Sequence, residues 1–184
     1  MADAVLEIPY VESHNRVTTL FRHILAIPHL IVSGVWGYFI QLMTLVQWII
    51  VLFTGKRNEG IFNLQTSYVG YSMRVSAYVS LMYDTYPPFG TDPGQTGIVY
   101  SLAYESEANR LSNALRFFWL IPALFISFFV GIGAGVMIVI SWFAILFTGK
   151  QPQGMFDFIR RWLQFSVKVT TYASLMTDTY PKFV

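Results

Sequence analysis

The sequence predicts an all-α membrane protein. It reads as a tandem repeat of a transmembrane or re-entrant helical hairpin plus an amphipathic interfacial helix, with a short strand before each repeat. Three observations carry the prediction. Of 184 residues, 54% are hydrophobic and 12% charged, whereas soluble domains carry about a quarter charged residues. Residues 23–55 and 117–149 contain no Asp, Glu, Lys or Arg. Finally, the chain matches itself at a shift of 94 residues: residues 16–89 align without a gap on 110–183, with 27 of 74 pairs identical. A duplication of one supersecondary unit explains such a match, and the two copies are expected to pack about a pseudo-twofold axis.

The elements follow in the same order in each copy. Residues 5–10 and 99–104 alternate as strands do, with Pro9 placing the first at an edge, and the two strands are suited to pair with each other. Ser13 and Ser106 are the expected helix caps. The apolar run comes next and ends at Leu-Phe-Thr-Gly-Lys in both copies, residues 52–56 and 146–150. Gly55 and Gly149 can adopt the left-handed conformation that stops a helix, and Lys56 and Lys150 favour the negative end of its dipole. This short motif lacks the glycine loop and the following Ser or Thr of a nucleotide cradle.

An uninterrupted run of this length measures about 50 Å as a helix, against about 30 Å of bilayer hydrocarbon. An odd number of crossings per copy would leave the similar flanks of the two copies on opposite sides of the membrane. Basic residues stand at both ends of each run, at Arg16, Arg22, Lys56 and Arg57 and at Arg110, Arg116 and Lys150. Such residues mark the cytoplasmic side. The expectation is therefore a hairpin within each run, 16–55 and 110–149, turning near residues 34–37 and 131–135. Two single spans are the alternative, and the glycines then become close-packing positions.

After the stop, residues 61–83 and 155–177 form amphipathic helices with aromatic residues at spacings of three and four. Tyr68, Tyr71 and Tyr78, with Trp162, Phe165 and Tyr172, are the candidate interaction surface. Residues 90–98 are rich in turn formers and form the linker. The units are thus 1–89, the linker, and 99–184.

Chemistry is sparsely represented. The chain has no cysteine, and its net charge of +2 is too small for a nucleic-acid surface. His14, His23 and His29 lack the i, i+4 spacing of a metal pair, and in the second copy Ala108, Phe117 and Ala123 replace them. His29, inside the apolar run beside Pro28, remains the one candidate ligand. Asp84 and Asp178 precede Thr-Tyr-Pro and are expected to bond local backbone. No cofactor, metal or enzymatic activity is expected.

The arginines Arg16 and Arg22, Ile27-Pro28-His29, Trp48, residues 52–55 and the Asp-Thr-Tyr-Pro ending at 84–87 carry a resemblance, as do their counterparts Arg110, Arg116, Pro122, Trp142 and residues 178–181. The chain resembles a domain-of-unknown-function family of small bacterial membrane proteins. That resemblance implies a membrane location and no settled activity. The expected function is a non-enzymatic scaffold or accessory subunit in the bacterial cytoplasmic membrane, with both termini cytoplasmic and with the bilayer and a membrane protein, or a second copy, as partners. The alternative is binding of a lipid or lipid-tailed cofactor between the repeats, with Arg22, Lys56, Arg116 and Lys150 on a headgroup. A redox subunit using His29 is the third reading.

Overall fold

The computed structural model describes residues 3–183. Its elements are β1 (Val5–Glu7), α1 (Arg16–Thr54), α2 (Glu59–Val79), β2 (Val99–Ser101), α3 (Arg110–Ala114), α4 (Arg116–Thr148) and α5 (Gln153–Ala173). Strands β1 and β2 pair antiparallel with Leu6 opposite Tyr100. These two residues are themselves counterparts in the repeat, so the pseudo-twofold axis passes through their pair.

The apolar runs do not turn back. α1 continues as one helix through residues 34–37, and α4 through 131–135, which corrects the predicted hairpins. The glycines there keep helical backbone; left-handed glycines are found instead at Gly55 and Gly149, where the two helices stop. At Gly37, Gly131 and Gly133 the missing Cβ makes room for an aromatic tip. A Cβ on Gly37 would sit 2.7 Å from the Tyr68 hydroxyl, one on Gly131 3.4 Å from Trp162 Nε1, and one on Gly133 3.2 Å from the Phe158 ring. Pro28 and Pro122 both remain inside their helices. α1 and α4 are long and apolar enough to cross a membrane, by length and composition.

The hairpin of each copy lies one element later. α2 runs back along α1, shown by contacts in descending order: Gln65 bonds Thr44, Tyr68 abuts Gly37, Tyr71 bonds His29, and the Tyr78 carbonyl bonds Arg22. α5 returns along α4 in the same way, with Met155 at Ser141, Trp162 at Gly131 and Tyr172 at Arg116. Asn15 and Asn109, not the expected serines, cap α1 and α3, each accepting amide hydrogen bonds from the first turn. In the second copy Asn113 Nδ2 shares the Asn109 carbonyl with its own backbone amide. Competition of this kind weakens a helix locally, and the break between α3 and α4 at Leu115 follows two residues later.

The copies join by symmetric contacts. Trp48 Nε1 donates to the Asn113 carbonyl at 3.2 Å, and Trp142 Nε1 to the Thr19 carbonyl at 3.0 Å. The His14 amide bonds the Gly149 carbonyl, and the Ala108 amide that of Gly55. α1 and α4 therefore lie side by side and antiparallel. Three layers result: α1 with α4, then α2 with α5, then the strand pair, with β1 against α5 and β2 against α2. The main core lies between these layers around Phe62, Tyr78, Phe156, Leu163, Leu6 of β1 and Leu102 just after β2.

Candidate functional site

Each end of the molecule holds one charged centre, built on a buried arginine and a half-buried aspartate. α2 ends in a turn with Leu81 at φ 65°, and α5 in the same turn with Leu175 at φ 64°. The left-handed conformation costs a non-glycine residue about 1 kcal/mol, and burial of both leucine side chains offsets it. The turn directs toward α1 the carbonyl of Tyr78, which also accepts the Leu81 amide, and that of Tyr83 beyond the helix. Arg22 reaches them from α1: its Nη1 donates to the carbonyls of Tyr78, at 2.9 Å, and Tyr83, at 2.6 Å, and its Nη2 to Asp84. The guanidinium lies over the Tyr78 ring, 4.7 Å from its centroid. Arg116 repeats every contact, with the carbonyls of Tyr172 and Thr177, with Asp178 and with the Tyr172 ring.

The two carboxylates differ in their further partners. Asp84 accepts from the Asn15 amide at 2.6 Å and lies 2.9 Å from His14 Nδ1. Asp178 accepts from the Asn109 amide at 2.9 Å and pairs with Arg57 of the first copy at 2.8 Å. His14 is replaced by Ala108 in the second copy, and Arg57 by Gln151. Each centre thus has one extra basic group, drawn from a different position. Arg57 also donates to the carbonyls of Leu175, Glu105 and Glu107, so it ties the first copy to the second.

Burial alone would raise the Asp84 carboxyl, but the hydrogen bonds from His14 and the Asn15 amide, with the charge of Arg22, outweigh it and hold it below the ordinary carboxylate value. Asp178 is depressed by the same balance: burial opposes, and the Asn109 amide, Arg57 and Arg116 prevail.

Most residues singled out from the sequence are placed elsewhere than expected. Arg22 and Arg116 are 0% and 3% exposed, with guanidiniums occupied by backbone carbonyls and Asp, which corrects their assignment to a lipid headgroup. Lys56 and Lys150 are exposed at the helix ends, paired with Glu107 at 3.7 Å and Glu12 at 2.7 Å. The proposed aromatic interaction surface also needs correcting. Tyr71, Tyr78, Phe165 and Tyr172 are buried, and Tyr68 and Trp162 half-buried, because this stripe faces α1 and α4. His29 is fully buried, bonded through Nδ1 to the Tyr71 hydroxyl at 2.8 Å and stacked on Phe89 at 4.1 Å. Among the described residues, no group of three His, Asp or Glu side chains is placed to hold a metal ion. His14 and Arg57 were missed as site residues; both lack an identical counterpart, so the repeat did not mark them.

Between the second half of α1 and the start of α4 runs an open groove of about 430 Å³, lined by Gln41, Thr44, Trp48, Phe117 and Leu120, with Asn113 and Arg116 in its wall.

The fold and its paired centres define a two-copy helical repeat protein in which each long apolar helix is clamped to an amphipathic one by a buried Arg bonded to a half-buried Asp. A family model matches residues 16–90 and 110–184, and the chain belongs to that family, described as a domain of unknown function (DUF4389). No curated protein and no solved structure matches it.

Proposed function

We propose that the protein is a non-enzymatic scaffold or accessory subunit held in the bacterial cytoplasmic membrane, with both termini on the cytoplasmic side. One observation carries this reading. Arg22, Arg57 and Arg116 are buried and Asp84 and Asp178 half-buried, all bonded to one another or to backbone, while the outer faces of α1 and α4 are left apolar along their length. Large exposed apolar patches mark membrane or protein contact surfaces. The location is supported by the basic residues that flank each run. Native mass spectrometry of the protein released from membranes tests it: a stoichiometric second polypeptide, identical or different, is the expected result. A monomer that retains only lipid overturns the scaffold.

A second reading is favoured by the groove between the copies. Its apolar walls suit an acyl or isoprenoid chain, and Lys56, at the end of α1, suits an anionic headgroup. Leu120→Trp would fill it, and loss of a co-purified lipid in that variant is the expected outcome on this reading.

A further inference from the structure

We infer that the protein lies flat in a single leaflet, with α1 and α4 parallel to the membrane plane and the pseudo-twofold axis along its normal. The inference rests on the membrane reading above and gives it an orientation. Four observations converge on it.

Length comes first. α1 has 39 residues and α4 has 33, about 58 and 50 Å at 1.5 Å per residue, whereas a bilayer with its headgroups is about 40–45 Å thick. The exposed apolar side chains run the whole way: Val17, Val35 and Phe53 on α1 are 66%, 70% and 79% exposed, and Phe117, Phe128 and Phe147 on α4 are equally open. An upright α1 would push apolar side chains out of the membrane at its ends. A flat one covers them all.

The opposite side of the molecule is polar at mid-length. Lys168 of α5 pairs with Asp3 at 3.3 Å, and Arg160 with Asp157 at 2.8 Å. Over the middle of α2 and α5 sits a two-stranded sheet, placed there by Gln164 donating to the Leu6 carbonyl and by Tyr100 against Gly70. Both outer edges of a two-stranded sheet are unpaired. Lipid-exposed sheet edges are not tolerated in hydrocarbon, so an upright molecule would immerse the layer that most needs water. Laid flat, the same layer faces water and the α1–α4 layer faces lipid.

Symmetry gives the third argument. Because α1 and α4 are antiparallel, the two similar ends of the molecule lie at opposite ends of the helices. Upright, the equivalent centres at Asp84 and Asp178 would occupy opposite sides of the membrane. Flat, they share one depth and one medium, in keeping with their shared contacts. The sequence similarity of the flanks is thereby accounted for without a hairpin in either run.

Charge supplies the fourth. Arg16, Lys56, Arg110 and Lys150 are exposed at the ends of the apolar layer, where a flat molecule meets the phosphates. An amphipathic surface of this kind seats about 5–10 Å into the boundary between headgroups and acyl chains.

Single cysteines in the cysteine-free chain test the orientation. Ser13→Cys and Ser106→Cys are exposed positions at the two opposite ends of the molecule, and a membrane-impermeant maleimide is applied to whole cells and to inverted membrane vesicles. Spin labels at Val17→Cys, Val35→Cys and Phe53→Cys report depth along α1. The expected result is that both serine positions label from one side only, the same side, and that the three labels lie at one depth. Labelling from opposite sides, with Val35 deepest, shows that the helices cross and overturns the inference while the membrane location stands. If the three outer-face labels are open to water and the protein leaves the vesicle fraction, the membrane reading itself fails and the orientation with it.

Discussion

At the scale of single residues, the two charged centres show how one backbone solution tolerates different side chains. Asp84 is completed by His14 and Asp178 by Arg57. Removing His14 takes one hydrogen bond from Asp84, and a typical intramolecular hydrogen bond contributes about 1 kcal/mol to stability. His14→Ala is therefore expected to lower the melting temperature in detergent. Adding Gln151→Arg reproduces the arrangement of the second centre, and recovery of at least half the loss is the outcome that checks the compensation. Acid sensitivity follows from the same groups. Both carboxyls are held below their ordinary value in the folded protein, so on acidification the unfolded chain takes up protons first. Their stabilisation is complete above the unfolded value of about 4 and is lost as pH falls through the lower folded values. Unfolding curves recorded from neutral pH down to about pH 3 should show this loss, and the double variant Asp84→Asn, Asp178→Asn should be less stable at neutral pH and flatter in acid.

At the scale of elements, the glycines of α1 separate two roles that look alike in the sequence. Gly34 has nothing within 4 Å of a notional Cβ, whereas Gly37 meets the Tyr68 hydroxyl. Gly34→Ala is expected to stabilise by up to about 1 kcal/mol through helix propensity alone. Gly37→Ala must displace the tip of Tyr68 and should gain less than that or lose stability. Paired thermal melts decide between them, and equal gains would mean that Gly37 is not a packing notch. The same ambiguity explains what could be read in advance. The strand pair, the Thr-Gly-Lys stops and the aromatic stripes of α2 and α5 were legible because each rests on a local signal: alternation, left-handed glycine or helical spacing. Whether residues 34–37 turned or packed was not, because a glycine permits both and only Tyr68, placed by a different helix, selects one. The role of Arg22 was hidden for a related reason. An arginine at the edge of an apolar run looks like a headgroup contact until the carbonyls of the turn that ends α2, and Asp84 after it, are brought beneath it by tertiary folding.

At the scale of the whole molecule, the three layers separate apolar from polar surface across the thickness of the fold, perpendicular to the long helices. A protein that crosses a bilayer matches its apolar length to the hydrocarbon thickness, and each ångström of mismatch costs a fraction of a kcal/mol. For an upright α1 of about 58 Å, a change from thin to thick bilayers would relieve several ångströms of mismatch and raise stability. A molecule lying flat in one leaflet, as inferred above, has no apolar length along the membrane normal to match. Its melting temperature in nanodiscs is therefore expected to be the same in short-chain and long-chain lipids of one headgroup. It should instead rise with the fraction of anionic lipid, since Arg16, Lys56, Arg110 and Lys150 stand at the ends of the apolar layer and each basic residue near an anionic surface contributes about 1 kcal/mol. Replacing Lys56 and Lys150 with Gln should reduce that headgroup dependence and leave the thickness series flat. A melting temperature that climbs with chain length and ignores headgroup charge would point to upright helices, in which the glycine notches and Arg–Asp clamps still hold each hairpin together but the polar layer would have to be shielded from lipid by a partner.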